Sequence, residues 1–332
     1  MNAKPTKSAA QAEANSARAG ADPLLTKMKA IEAHAIERFQ RQREQATQES
    51  LPLSLEVLPA PPPPAKVVKL PLWPDAVRAV PNGMLRSAMF GAIRRGERRY
   101  LHRERIAALD GIEIFYTGER LDQSDLDVWE TVLHLVRLQS LGNECRMTAY
   151  QILKALGKTD SGKNRDILDL RLSRLNATAV RVKQGRYSYE GSLIDGVYRD
   201  EETRAYVLIL NPKIRVLFEH DQFTQIDRAV RRKLDGKPLA QWLHSFYASH
   251  AKPYPVSIAK LRELSGSEAG EVWKFRQTAR AALDDLADAC KINGQPFSYK
   301  IQDGVVHVEK EPSQVQRLHL SKKIRNPHQR KP

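Results

Sequence analysis

Residues 257–289 read SIAKLRELSGSEAGEVWKFRQTARAALDDLADA, and this stretch decides the fold of the C-terminal half. Ser257 can cap a short helix and Gly266 can end it, because serine oxygens accept from exposed helix amides and glycine adopts the left-handed conformation. A longer amphipathic helix follows over residues 271–289. Two strand-like runs, PFSYKI and VVHVEK, then flank a turn at Asp303-Gly304. The stretch therefore predicts a short helix, a long helix and a β-hairpin.

The same order of elements occurs earlier in the chain. Thr148 and Gly157 have the spacing of Ser257 and Gly266, and a second long helical pattern, KNRDILDLRLSRLNA, follows. Strand-like runs come next over 178–183, part of 186–198 and 204–210. Amphipathic helices over 125–138 and 237–249 precede the two patterns. The recurrence predicts an α+β fold with two tandem winged-helix domains.

Proline and charge mark the ends of this globular body. Residues 52–81 hold nine of the 19 prolines, so this segment is expected to be an extended spacer. We predict four parts: an N-terminal tail and linker for partner recruitment (1–70), a first winged-helix domain (71–220), a second one (221–310) and a basic tail (311–332). Residues 321–332 are expected to be disordered. Residues 22–48 suit either a marginal, solvated helix or a partner-binding helix.

The charge balance points to a polyanionic partner. The 332 residues include 54 Lys+Arg and 39 Asp+Glu, a formal net charge of +15. Nucleic acid is the simplest partner and an anionic membrane surface the alternative. Residues 146–186 alone hold ten basic and three acidic residues. Such concentration favours a directed nucleic-acid-binding face over a diffuse membrane patch.

Other classes of function find little support. The two cysteines, Cys145 and Cys290, exclude a disulfide scaffold and suit a reducing cytoplasm. The nine histidines show no metal-ligand spacing, so we expect neither metal nor cofactor. Residues 157–164, GKTDSGKN, resemble a phosphate-binding loop, but Asn164 replaces the Ser/Thr that binds Mg²⁺. No apolar run is long enough to span a membrane. We expect a protein that is not an enzyme.

The second long helix carries a clear candidate DNA-binding face. Its predicted core face comprises Val272, Phe275, Ala279, Ala282, Leu283 and Leu286. The opposite face and its edges carry the predicted DNA-binding residues Trp273, Lys274, Gln277, Thr278 and Arg280. These polar side chains can hold phosphates or read base edges in the N-terminal half of a helix that enters the major groove. A solvated charged face is the alternative for this helix taken alone.

The first long helix has the same character but a less regular face. Leu168, Leu172 and Leu175 form its predicted core stripe. We expect Lys163, Asn164, Arg165, Arg171 and Arg174 to face outward or lie at the edges as DNA-binding residues. Lys183 and Arg186, in the hairpin that follows, are expected to form a wing on DNA phosphates. Two such helices in equivalent positions favour DNA binding over two solvated faces.

Several motifs in one order resemble those of the TrfA-type plasmid replication initiators. They are WPDAVRAVPN (73–82), RSAMF (86–90), YTGERL (116–121), DVWETVL (127–133), LSRLNATA (172–179), VLF (216–218) and SFYASHAKPYP (245–255). The resemblance covers about 70–310. It implies two winged-helix domains that bind repeated sequences, called iterons, in double-stranded plasmid origin DNA. It further implies opening of an A·T-rich segment, with single-stranded origin DNA as an additional ligand.

The resemblance also implies partners. They are the host initiator DnaA, the replicative helicase, the sliding clamp and a second copy of the chain, since such initiators act as monomers and are inactive as dimers. The family's clamp-binding motif corresponds here to PLSLE (52–56), which keeps Leu53, Ser54 and Leu55 but lacks the flanking Gln and Phe. A winged-helix repressor or partition protein that does not melt an origin is the alternative function, because its recognition of DNA is physically the same.

Overall fold

The computed structural model describes residues 33–38, 40–42 and 68–325, apart from residues 94, 95, 97, 143, 201, 203, 204 and 220. It comprises two compact units, residues 1–65 and 66–332. In the first unit, residues 33–38 and 40–42 are helical and exposed. The rest of the stretch 22–48 and the clamp-like residues Leu53, Ser54 and Leu55 lie outside the described residues.

The larger unit is a mixed α+β structure, which confirms the predicted fold class at that level. Its N-terminal part contains β1 (Val77–Pro81), α1 (Asn82–Leu85), β2 (Phe90–Gly91), β3 (Tyr100–Ile106), β4 (Ile112–Glu119), β5 (Leu121–Asp122), α2 (Gln123–Val136), β6 (Cys145–Thr148), α3 (Ala149–Leu156), α4 (Gly162–Asn176), β7 (Ala179–Gln184), β8 (Tyr187–Gly191), β9 (Gly196–Arg199), β10 (Ala205–Ile209) and a 3₁₀ helix (Pro212–Phe218). Its C-terminal part contains β11 (Phe223–Asp227), α5 (Arg228–Lys233), α6 (Pro238–Ala248), β12 (Val256–Ser257), α7 (Ile258–Leu264), α8 (Val272–Ile292), β13 (Phe297–Gln302), β14 (Val305–Lys310) and α9 (Gln314–Arg325).

Two three-stranded sheets have the same strand order. In the first, β10 lies between β6 and β9, and in the second, β14 lies between β12 and β13. We call α2, β6, α3, α4, β9 and β10 the first repeat, and α6, β12, α7, α8, β13 and β14 the second repeat. All pairings within the two sheets are antiparallel. The two repeats thus share both their order of elements and their sheet topology.

One expectation about the first repeat is wrong. The hairpin that follows α4 directly, β7–β8, was expected to be its wing. It instead completes a four-stranded sheet in the order β3–β4–β7–β8. Ile114 of β4 lies opposite Val182 of β7, and both side chains are fully buried. This apolar pairing holds the hairpin to β4, so the strands equivalent to β13 and β14 are β9 and β10.

The predicted helix ends are confirmed. Thr148 accepts a hydrogen bond from the Gln151 amide, and Ser257 accepts one from the Lys260 amide. Gly157 and Gly266 both have positive φ, 74° and 61°. Serine and threonine oxygens satisfy the amides of the first turn, and glycine adopts the left-handed conformation without a Cβ penalty. The four residues thus give α3 and α7 the same kinds of start and end before α4 and α8.

Buried apolar side chains form two clusters. One extends from Leu70 to Ile226, and the other from Val230 to Val308. The predicted boundary between winged-helix domains at residues 220 and 221 stays a prediction. The two clusters are joined by polar contacts, since Arg231 at the start of the second cluster bonds to Asp127 and to the Gln123 carbonyl of α2.

The C-terminal segment differs from the expected disorder. Residues 314–325 form α9, so the part of the basic tail between 321 and 325 is helical. Ser313 accepts a hydrogen bond from the Gln316 amide, and Gln316 Nε2 donates to the Ala248 carbonyl at 2.8 Å. These contacts with α6 supply the order that the composition of the segment alone does not predict. Residues 326–332 lie outside the described residues.

Candidate nucleic-acid interface

The N-terminal half of α8 presents an exposed polar face. Trp273 is 58% exposed, and Lys274, Gln277, Thr278 and Arg280 are exposed as well. The Lys274 ammonium lies 5.4 Å from the centre of the Trp273 ring. Within the described part of the chain, no hydrogen bond or ion pair engages the side chains of Gln277 and Arg280. Their donors are therefore available to a ligand.

The opposite face of α8 packs as predicted, with one exception. Phe275, Ala279, Ala282, Leu283 and Leu286 are buried in the second apolar cluster. Val272 was expected there but is 43% exposed. The helix begins at this residue, so its first turn extends past the core.

The neighbouring hairpin β13–β14 is attached to the same helix. Tyr299 of β13 donates a hydrogen bond to Asp284 at 2.6 Å, and burial together with this bond raises its pKa to about 12. The hairpin turn uses Asp303 and Gly304, with φ values of 51° and 76°. Two consecutive residues with positive φ form the tight turn that suits two-residue hairpins. The hairpin is thus tied to the middle of α8 by the Tyr299–Asp284 hydrogen bond.

The candidate residues of α4 divide into three groups. Lys163 is exposed and makes no hydrogen bond or ion pair with any described residue. Asn164 and Arg165 are engaged locally: Asn164 Nδ2 donates to the Thr159 carbonyl at 2.8 Å, and the Arg165 guanidinium pairs with both oxygens of Asp160 at 2.7 Å. The third group, Arg171 and Arg174, lies nearer the core. Only Lys163 is ready to meet a ligand without rearrangement.

Arg174 does not face outward as predicted. Its side chain is 8% exposed and bonds to Asp125 and Glu119, both at 2.8 Å. Asp125 is fully buried, and this burial raises its pKa, while Arg98 provides a second guanidinium at 2.7 Å. The long arginine stem reaches back across α4 to these carboxylates. Arg174 therefore anchors α4 to α2 and β4 instead of contacting solvent.

The hairpin β7–β8 carries the last two predicted residues. Lys183 and Arg186 are both exposed. Arg186 donates to the Tyr187 hydroxyl at 2.8 Å, and its guanidinium lies 4.9 Å from the centre of that ring. The two cations remain at the surface although the hairpin belongs to the four-stranded sheet.

Further cations that the sequence pattern does not single out lie on α5, on α8 and in the loop after α3. Arg228, Arg232 and Lys158 line a crevice of about 150 Å³ together with the predicted residue Arg171. Burial and the neighbouring Arg232 charge lower the pKa of Arg228. Arg276 on α8 is exposed as well. The basic run RAVRRK (228–233) is visible in the sequence as α5, but its position beside α3 and α4 follows only from the fold.

A metal site and a membrane-spanning helix are two other features that could indicate a function. Among the described residues, no group of three or more His, Cys, Asp or Glu side chains could hold a metal ion. In the same part of the chain, no helix is both long and apolar enough to cross a membrane.

These features define an α+β protein in which two like repeats each present a long, cation-bearing helix at the surface. Residues 65–310 match the family described as TrfA protein. The chain belongs to the TrfA family of plasmid replication initiators. The resemblance drawn from its motifs is thereby confirmed.

Two plasmid replication proteins of known name support this assignment. The chain is 29% identical over 222 residues to the plasmid replication initiator protein TrfA of Escherichia coli, a match that covers 64% of this chain and 58% of that protein. It is 25% identical over 194 residues to RepFIB replication protein A of the same species, covering 55% and 59%. Domains 2 and 3 of RctB align over 70% of this chain and 98% of that chain, with 14% identity and a TM-score of 0.48.

Proposed function

We propose that this protein initiates plasmid replication by binding iterons at the plasmid origin through two winged-helix domains. The observation that carries the proposal is the repeat itself: the same helix, strand, two helices and hairpin occur twice, with one strand order. That arrangement supports the proposed winged-helix layout, whose third helix enters the major groove. Two such units in one chain suit a DNA site that spans successive major grooves.

In this proposal α8 reads the base sequence. Lys274, Gln277 and Arg280 are exposed in its N-terminal half and carry the donors and acceptors that recognise base edges. The acidic residues Asp284 and Asp288 lie further along the helix, away from the phosphates. Trp273 presents an apolar surface for a thymine methyl or a sugar. The α8 face thus combines charge, hydrogen bonding and an apolar contact at one end.

The first repeat is proposed to contribute mainly phosphate contacts. Lys163 at the start of α4 and Lys183 and Arg186 on β7–β8 are exposed cations that can neutralise phosphates. Arg228 and Arg232 extend this basic surface between the repeats. Asn164 and Arg165 would have to exchange their local partners for DNA. We therefore expect most of the sequence specificity to come from α8.

The binding test uses fluorescence anisotropy with a labelled duplex carrying one repeat from the origin of this plasmid. Lys274→Ala and Arg280→Ala are each expected to weaken binding by about 1–3 kcal/mol if they read a base. Lys291→Ala is the matched control, because Lys291 is an exposed lysine at the opposite end of α8. An equal loss in all three variants, or none in any, would remove the α8 face from the interface.

Origin opening and host recruitment complete the proposal. Binding energy can bend or unwind DNA, so no nucleotide hydrolysis is needed. Host DnaA and the replicative helicase would then load at the exposed strand, in the bacterial cytoplasm where the plasmid resides. Self-association would compete with this monomeric, DNA-bound form.

We propose that the protein is not an enzyme, and purified protein should show no ATPase activity that Lys163→Ala reduces.

Permanganate footprinting on supercoiled origin DNA tests the opening step. An initiator exposes unpaired thymines beside its repeats, whereas a repressor or partition protein protects its site without melting. Unpaired thymines that appear with wild-type protein and disappear with a double Lys274→Ala, Arg280→Ala variant would support the proposal. Full occupancy of the repeats without reactive thymines, in the presence of host DnaA, would favour the repressor alternative.

A further inference from the structure

A large cavity lies on the side of the second repeat formed by α6, the end of α8 and the start of α9. Its volume is about 580 Å³, within the range of roughly 300–1,000 Å³ that small-molecule sites occupy. Apolar side chains make up much of the wall, including Phe223, Leu286 and Phe297. None of the predicted DNA-binding residues lines it. The cavity is therefore separate from the proposed DNA interface.

Two residues of the wall have a buried polar atom without a hydrogen-bond partner, and a third, Lys310, has no counterion among the described residues. His244 Nδ1 and the Tyr247 hydroxyl are buried and have no hydrogen-bond partner among the described residues. Burial lowers the pKa of His244 to about 3, so the ring is neutral. Unpaired buried polar groups are costly, and neither of these two atoms is accessible from the cavity.

Lys310 is the third group. Its ammonium donates to the Glu311 carbonyl at 3.4 Å and to Gln316 Oε1 at 3.2 Å, but no described carboxylate pairs with it. The nearby Glu311 carboxylate pairs with Arg317 instead. Burial lowers the pKa of Lys310 to about 8. The wall also contains the carboxylates Asp221, Asp227 and Glu311. A partly buried cation that no described carboxylate pairs with is nevertheless stabilised by an anion, and an apolar body on that anion covers the apolar part of the wall.

We propose that this cavity binds a small amphipathic monocarboxylate, with its carboxylate on Lys310 and its aliphatic or aromatic body against Phe223, Leu286 and Phe297. A ligand with one carboxylate and an apolar body suits such a site. A few polar contacts fix its orientation, and burial of its apolar body supplies the affinity. Fatty acids and aromatic carboxylates share this chemistry.

The test is isothermal titration of the full-length protein with sodium decanoate, and with decan-1-ol as the uncharged analogue. One decanoate per chain is expected to bind. Lys310→Met should weaken decanoate binding at least about tenfold, since a charge-assisted hydrogen bond is lost, and should change decan-1-ol binding less than about twofold. Lys300→Met is the matched control, because Lys300 is exposed on β13 and does not line the cavity.

A second variant tests the cavity independently of charge. Ala248 lines the cavity, and Ala248→Phe would fill part of it. This variant should abolish binding of both ligands while iteron affinity and the melting temperature stay close to wild type. No saturable heat with folded wild-type protein would overturn the proposal. So would decanoate affinity that Ala248→Phe leaves unchanged, or that Lys310→Met and Lys300→Met reduce equally.

Discussion

Replacing Arg231 by methionine should reveal how the two apolar clusters are held together. The Arg231 side chain is 3% exposed, and its guanidinium bonds to Asp127 at 2.5 Å, to the Ser245 hydroxyl at 2.9 Å and to the Gln123 carbonyl at 3.0 Å. Glu130 lies 3.5 Å away and is also buried. Methionine keeps the apolar stem but leaves both carboxylates without their cation.

The expected cost follows from this geometry. Removing one partner of a buried ion pair typically costs about 3–5 kcal/mol, because the remaining charge stays desolvated. Such a loss is a large share of the ~5–15 kcal/mol that stabilises an ordinary domain. The matched control is Lys237→Met, which breaks the exposed pair of Lys237 with Asp285 and should cost less than about 1 kcal/mol.

The assay is urea unfolding followed by circular dichroism at neutral pH. A second substitution, Glu130→Gln, sharpens it. Burial raises the pKa of Glu130 to about 7, so the neutral amide resembles a form that this carboxyl adopts readily. Glu130→Gln should recover part of the stability lost in Arg231→Met. A cost for Arg231→Met no greater than that of Lys237→Met would refute the idea that this network joins the clusters.

Three further outcomes are expected. Arg174→Met should lower the free energy of unfolding by about 1.5–3 kcal/mol, because the buried Asp125 carboxylate loses a charge-assisted hydrogen bond and keeps only Arg98, whereas Arg165→Met should cost less than about 1 kcal/mol; urea unfolding of both variants checks this. The folded state lowers the pKa of His244 from 6.5 to about 3, so stability present above pH 6.5 should fall as pH drops, by about 2 kcal/mol from this residue at pH 5. Unfolding at pH 7 and pH 5 measures it, and His244→Gln should reduce the difference by about that amount, while His134 and His250, whose pKa values burial lowers to about 4, keep their own contributions. Deleting residues 1–65, which keeps the buried Leu70, should leave iteron affinity nearly unchanged but impair helicase loading, and loss of iteron binding would contradict a tail that is separate from the DNA-binding body.

Local signals in the sequence predicted the helices well. The caps at Thr148 and Ser257 and the left-handed glycines Gly157 and Gly266 depend on neighbouring residues only, and all four are confirmed. The core stripes of both long helices follow the helical period and are correct except at Val272. The exposed face of α8 is therefore readable from sequence, because its orientation follows once the core stripe is known.

Long-range pairing accounts for the errors. The position of Arg174 on the helix predicts an outward side chain, but its long stem reaches the buried Asp125 and the exposed Glu119, about fifty residues earlier in the chain. The hairpin β7–β8 follows α4 directly, which predicts a wing, yet β7 pairs with β4. Sequence spacing does not reveal which distant strand or charge a residue will meet.

The sequence by itself determined the repeated order of helices and strands, the apolar stripes, and the motifs by which the chain belongs to the TrfA family. These properties are set by neighbours within a few residues or by direct likeness to relatives. Only the tertiary structure decided which cations remain exposed, since Arg174 and Arg231 are neutralised by acids far away in the chain. It also created the cavity beside Lys310, because α6, α8 and α9 enclose that space only after they have packed.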